Sequence, residues 1–106
     1  MIIMAKYNAL SLLGLAKRAG KVCLQEEANM KAIRKGTAKV LLLAADAGAA
    51  TAKKYYDKCN YYRVPVIVFA SKEELGQALG TSPRTAVAVT DEGFAASLRK
   101  LAKEKT

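Results

Sequence analysis

Glu27, Lys31, Arg34 and Lys35 stand at i, i+4, i+7 and i+8, so on a helix they share one face. Gln25 and Glu26 lead into that helix, and Ala28, Ala32 and Ile33 form its opposing apolar side. A carboxylate at the start of such a face accepts hydrogen bonds from base N–H groups, while lysine and arginine behind it reach phosphates or guanine acceptors. The chemistry is recognition of a polyanion with some base readout. Taken by itself the same face also suits a solvated helix, tied by a Glu27–Lys31 pair that contributes about 0.3–0.5 kcal/mol.

Catalytic apparatus is harder to assemble from these residues. The chain has no histidine, which removes Ser–His and Cys–His nucleophiles. Two cysteines, Cys23 and Cys59, cannot build a four-ligand zinc site, and Cys23 on an apolar strand reads as a small hydrophobe. The segment Gly14 to Lys21, GLAKRAGK, imitates a phosphate-binding loop, but it has one residue too many between its glycines and Val22 where a metal-binding hydroxyl belongs. Asp46, Asp91 and Glu92 lie at strand ends, where active sites are common, yet the last two are placed to cap a helix. The expectation is a non-enzyme with no cofactor and no metal.

The elements that position the basic face follow from periodicity. Tyr7 to Arg18 is a helix by the spacing of Leu10, Leu13 and Ala16, joined by Leu12 and Leu15, with Asn8 as its cap, and Gly14 in its middle implies close packing. Lys21 to Leu24 is a short strand, and the basic helix then runs from Glu26 to Lys35 before Gly36 stops it, acids first and cations last as its macrodipole prefers. Lys39 to Ala45 and Val64 to Ala70 are near-continuous apolar runs, the pattern of strands covered on both faces at a sheet centre. Between them Thr51 to Tyr61 is a helix with an apolar stripe of Ala52, Tyr55, Tyr56 and Cys59. Tyr55, Tyr56, Tyr61 and Tyr62 offer rings for base stacking, but at this spacing they read as core with wet hydroxyls.

Ser71 and Glu74 form a capping box that opens a helix through Leu79, closed by Gly80, and the Gly76–Gly80 spacing implies close packing. The loop Thr81–Thr85 leads to a strand, Ala86 to Thr90. A last helix, Asp91 to Lys103, buries Phe94, Leu98 and Leu101 and is capped by Asp91 or Thr90. Alternating strands and helices predict a single domain, residues 1–106, built as an α/β three-layer α-β-α sandwich on a small mixed sheet of about four strands.

Composition sets the partner class. The 106 residues are 52% hydrophobic and carry a formal charge of +9, enough apolar surface for a core and enough charge to favour polyanions. Residues 1–40 hold eight of the cations against Glu26 and Glu27 alone, so +6 of the +9 lies there. The Met1-Ile2-Ile3-Met4 run is far shorter than a signal-peptide core and no apolar run spans a bilayer, so a cytoplasmic location without membrane contact is expected.

Several ordered motifs then carry a resemblance. Lys31-Ala32-Ile33-Arg34-Lys35-Gly36, Ala38-Lys39-Val40 to Asp46, Val64-Pro65-Val66, and Ser71 to Gly80 together resemble the kink-turn RNA-binding ribosomal-protein family over nearly the whole chain. The GKVCLQEE and TDEGFA segments bring it nearest to the bacterial YlxQ-type branch. The resemblance implies that the start of the second helix enters the groove beside tandem G·A pairs, and that the loop before the last strand embraces looped-out nucleotides. The family pattern at the helix start is Gly-x-Asn-Glu with a lysine one turn on. Lys31 matches the lysine, but Gln25 stands for the glycine, Glu27 for the asparagine and Ala28 for the glutamate. Glu27 only accepts where asparagine also donates, so base readout is altered. The pocket for a flipped-out base falls on Ala47-Gly48-Ala49, too small to clamp one firmly.

The resemblance thus implies a structured RNA, ribosomal RNA first and not DNA, as the partner of Lys21, Gln25, Glu26, Glu27, Lys31, Arg34, Lys35 and Arg84. Two other readings stay open. One is a protein-interaction module in ribosome assembly or with a translation factor. The other is an RNA-recognition subunit serving a separate modifying enzyme.

Overall fold

The computed structural model describes residues 3–102. Its elements are α1 (Ile3–Arg18), β1 (Val22–Cys23), α2 (Glu26–Lys35), β2 (Val40–Leu43), α3 (Ala49–Tyr62), β3 (Val66–Ile67), α4 (Lys72–Leu79), β4 (Ala86–Val89) and α5 (Glu92–Ala102). The strands form one mixed sheet in the order β1-β4-β2-β3. β4 runs antiparallel to both its neighbours, and β2 pairs in parallel with β3.

Alternation along the two central strands sorts the side chains into two cores. Val40, Leu42, Val87 and Val89 point to one face, where they meet Leu13 of α1, Leu75 and Leu79 of α4 and Leu98 of α5. Leu41, Leu43, Ala86 and Ala88 point to the other, under Ile33 of α2 and Tyr55 and Cys59 of α3. β4 is therefore valine on one face and alanine on the other. The alanine side leaves depth for the large Tyr55, which is 2% exposed. The three-layer sandwich expected from the alternation is the architecture observed.

Local signals fix most element ends. Ser71 Oγ accepts from Glu74 N at 3.1 Å and Glu74 Oε1 accepts from Ser71 N at 2.9 Å, completing the capping box of α4. Asp91 Oδ2 accepts from Phe94 N at 2.9 Å and caps α5. Gly14 packs where a Cβ would stand 3.0 Å from the Ala78 carbonyl oxygen, so α1 and α4 touch through their backbones. The expected end of the last helix at Lys103 and the expected Met1-Ile2 run fall outside the described residues.

Five expectations are corrected. The first helix begins at Ile3, with Asn8 exposed inside it and not capping it. Its buried seam is Ala5, Ala9, Leu13 and Ala16, while Leu15 is exposed, because small residues are what allow α1 to lie close to its neighbours. The Val64–Ala70 run is not central: only Val66–Ile67 forms β3, at the sheet edge with one neighbour, and Val68 is exposed. On α3, Tyr56 turns outward and leaves Tyr55 and Cys59 as the buried pair. On α2, Ala28 is exposed and Asn29 takes the buried place assigned to it.

Candidate nucleic-acid interface

The start of α2, the start of α3 and the loop before β4 converge on one cleft of about 280 Å³. Gln25, Glu26 and Asn29 line it from α2, Thr51 and Tyr55 from α3, and Pro83, Arg84 and Thr85 from the loop. Three segments distant in sequence thus share one mouth, and the sheet topology is what brings them together. β4 lies between β1, which feeds α2, and β2, which feeds α3.

Asn29 holds this corner in register. Its Oδ1 accepts from Ala88 N at 3.1 Å, and its Nδ2 donates to the Ala86 carbonyl and to the Tyr55 hydroxyl, both at 3.2 Å. β1 is two residues long and ends with Cys23 opposite Ala88, so the Asn29 carboxamide joins β4 at that end, meeting the Ala88 N–H and the Ala86 carbonyl that lies beyond β1. A buried carboxamide satisfied on both ends is fixed in its rotamer. Burial pushes the Tyr55 phenol above its ordinary range, with the Asn29 hydrogen bond opposing that shift, so the hydroxyl stays neutral in the cleft wall. Burial likewise pushes the Cys59 thiol up to about 11, leaving it a packing group.

The loop is equally constrained. A Cβ on Gly76 would stand 2.4 Å from the Ser82 carbonyl oxygen and 2.8 Å from Pro83 Cα, so the loop lies directly on α4. Arg84 Nε donates to Thr81 Oγ1 at 3.2 Å, and Arg84 N donates to the Lys72 carbonyl at 3.1 Å. The guanidinium is carried on a stiff arm at the cleft rim. Asp46 serves α4 by accepting from Lys72 N at 2.8 Å.

Electrostatics separate the cations into two sets. Lys6, Lys53, Lys54 and Arg99 are paired with Glu74, Asp57, Glu26 and Glu92. Lys31, Arg34 and Lys35 make no ion pair among the described residues and are exposed along α2. The Glu27–Lys31 pair does not form: both side chains point to solvent without meeting. With an axial rise of about 1.5 Å per residue, Lys31 stands roughly 7 Å and Lys35 roughly 13 Å beyond the helix start. The basic track therefore leads away from the cleft.

Of the residues singled out in the sequence, Gln25, Glu26 and Arg84 meet in the cleft, and Glu27, Lys31, Arg34 and Lys35 share the exposed face of α2. Glu26 spends its carboxylate on Lys54 of α3, at 3.2 Å. Lys21 is not brought to the cleft. It precedes β1, where its carbonyl accepts from Thr90 N past the far end of β4. Asn29, Thr51, Tyr55 and Thr85 were not anticipated. Asn29 could have been found, since a polar amide at i−3 and i−4 from Ala32 and Ile33 interrupts an otherwise apolar seam.

A mixed four-stranded sheet between two helical layers, with a polar cleft at the mouth of the second helix, defines a small basic α-β-α sandwich. The chain belongs to the ribosomal protein L7Ae/L30e/S12e/Gadd45 family, whose sequence model matches residues 8–99, and within it to the YlxQ-like branch. It is 51% identical over 90 residues to the RNA-binding protein YlxQ of Bacillus subtilis (strain 168), covering 85% of this chain and 90% of that one. It is 40% identical over 96 residues to the RNA-binding protein YlxQ of Enterococcus faecium, covering 91% and 92%. A solved structure of a protein of unknown function from Bacillus halodurans superposes with a TM-score of 0.87 at 42% identity, over 91% of this chain and 97% of the other. A 15.5 kDa RNA-binding protein from Giardia lamblia shares the fold, with a TM-score of 0.77 at 18% identity over 96% and 88%.

Proposed function

We propose that this chain is an RNA-binding protein that takes a structured, kink-turn-like element of ribosomal RNA into the cleft between the start of α2 and the Thr81–Thr85 loop. The observation that carries the reading is the placement of exposed, unpaired cations beside a rigid polar cleft: Lys31, Arg34 and Lys35 on α2, with Arg84 at the opposite rim. The two relatives named as RNA-binding proteins, each aligned over more than four-fifths of this chain, support it. Gln25 and Thr85 present donors and acceptors to a base edge at the cleft mouth, Asn29 fixes the wall behind them, and the cations take phosphates and set a salt-dependent affinity.

Gln25 has φ −93° and ψ 145°, so the backbone there does not demand glycine. A glycine at this place would serve only a closer approach of RNA. Because Glu27 and Ala28 are both exposed, their departure from Asn-Glu alters what the surface reads and not how the helix packs. A non-enzymatic, RNA-anchored role at the ribosome follows from this reading.

The test is binding to a kink-turn RNA and to a matched duplex lacking the G·A pairs, each across a salt series. Preference for the kink-turn, with affinity lowered in Lys31→Ala, is the expected result. Equal, steeply salt-dependent binding to both would mean that phosphates alone are read. No binding to either would overturn the proposal.

A further inference from the structure

Tyr61 is the most exposed large hydrophobic side chain among the described residues, at 78%. It is not a loose ring. Tyr62 packs half-buried against the core under α2 and α3 and meets Tyr61 edge to face, with centroids 4.8 Å apart and planes at 78°. Tyr61 is thereby oriented by a partner that is itself anchored, while most of its own surface stays in water. The expectation that these tyrosines are core holds for Tyr55 and fails for Tyr61 because α3 has only one buried stripe.

Lys54, Lys58 and Tyr61 stand at i, i+4 and i+7 on that outer face, and with Asp57 and Tyr62 they line one shallow depression. The acid there is already held, since Lys53 Nζ lies 2.6 Å from Asp57 Oδ2. Lys58 has no ion pair among the described residues. The depression neighbours the cleft: its Lys54 pairs with Glu26, a cleft residue, and Tyr61 stands roughly 10 Å further along the same helix. An open ring beside a free cation is what a nucleotide requires of a surface, a face for the base and a charge for the phosphate.

We infer that the outer face of α3 is a second RNA contact, on which an unpaired nucleotide flanking the structured element stacks on Tyr61 while Lys58 meets its phosphate. This rests on the RNA-binding reading above and adds a single-stranded segment to the ligand. Charge complementarity and adjacency to the cleft, through the Lys54–Glu26 pair, favour RNA over a protein as the occupant.

The experiment compares a blunt kink-turn RNA with the same RNA carrying a short unpaired extension, at the 5′ and the 3′ end separately, and with an abasic version of each extension. For the unchanged protein, one extension should raise affinity about 5-fold or more, the low end of what one stacked base contributes, and its abasic version should not. Tyr61→Ala should abolish that gain and leave the blunt RNA bound as before; Tyr61→Phe should keep it. Lys58→Ala should lower the salt slope by about one for the extended RNA alone. Tyr61 is exposed, so these variants fold. If the blunt RNA binds with the expected Lys31 dependence but neither extension adds affinity, or the gain survives Tyr61→Ala, the α3 contact is wrong and the cleft reading stands. A face used by a protein partner would give that result. If no RNA binds, the cleft reading fails and this inference falls with it.

Discussion

Replacing Asn29 tests whether one buried amide holds the cleft in shape. Asn29→Ala removes an acceptor from Ala88 N and a donor from the Ala86 carbonyl and the Tyr55 hydroxyl. Leaving a buried polar group without a partner costs about 1–3 kcal/mol. Ala88 is fully buried, so its N–H bears that cost in full, whereas Tyr55 and Ala86 border the cleft and can be reached by water. The sum is about 3 kcal/mol, a large part of the roughly 5–15 kcal/mol that holds a domain of this size folded. In urea unfolding followed by far-ultraviolet circular dichroism, the midpoint should fall by about 1–3 M at the slope usual for small domains. Asn29→Asp sharpens the test. A carboxyl in this place is forced above its unfolded value of about 3.9, because ionising it buries a charge against the Ala86 carbonyl. A raised folded value means that the stability is present below the unfolded value and lost as pH rises through the folded one. Measured against the unchanged protein, Asn29→Asp should therefore be near normal in acid and strongly destabilised at neutral pH. A loss under about 1 kcal/mol for Asn29→Ala, or a pH-independent loss for Asn29→Asp, would refute the assigned role.

Other perturbations probe the surrounding parts. Gly76→Ala drives a methyl into Ser82 and Pro83, and should cost about 1–3 kcal/mol in thermal unfolding and weaken RNA binding through the displaced loop; an unchanged melting temperature would show the loop to be free of α4. Ser71→Ala should cost about 1 kcal/mol by opening the capping box, read from the same melts. Glu74 is held below the ordinary carboxylate range by the Lys6 ammonium and the Ser71 N–H, so its contribution is complete above about pH 4.3 and is lost as pH falls through its folded value. Glu74→Gln should accordingly flatten the acid side of the stability profile and leave the alkaline side alone. The triple change Gln25→Gly, Glu27→Asn, Ala28→Glu restores the family's reading side chains at exposed positions, and should raise the preference for a kink-turn over a plain duplex about tenfold; no gain would mean that another part of the cleft sets specificity.

The layers, the strand count and most helix ends were legible because each rests on a local rule: a continuous apolar run at Val40–Leu43, Ser71 with Glu74, Gly36 after Lys35. The basic face of α2 was legible for the same reason, as four residues at helical spacing. What escaped depends on contacts between distant segments. Whether Val64–Ala70 lies at the centre or the edge is decided by which strands flank it, and Ala28 and Asn29 exchange burial because the Ala88 N–H and the Ala86 carbonyl of β4 meet a side-chain amide at that spot. Lys21 belongs by charge to the basic set and by topology to the far end of β4, a distinction composition cannot make.

The shortness of the outer strands has a consequence for crowding. A sheet edge is a row of open donors and acceptors on which a second chain can add itself, and Lys, Pro or brevity is how such edges are blunted. Here both margins are two residues long: β3 begins just after Pro65, and past Cys23 the Ala86 carbonyl of β4 is taken by the amide of Asn29. A template that short gives an incoming strand almost nothing to pair with, and a net charge of +9 repels further copies. The side chain that shapes the cleft also closes the margin against self-association, so its loss should show first as turbidity in concentrated samples.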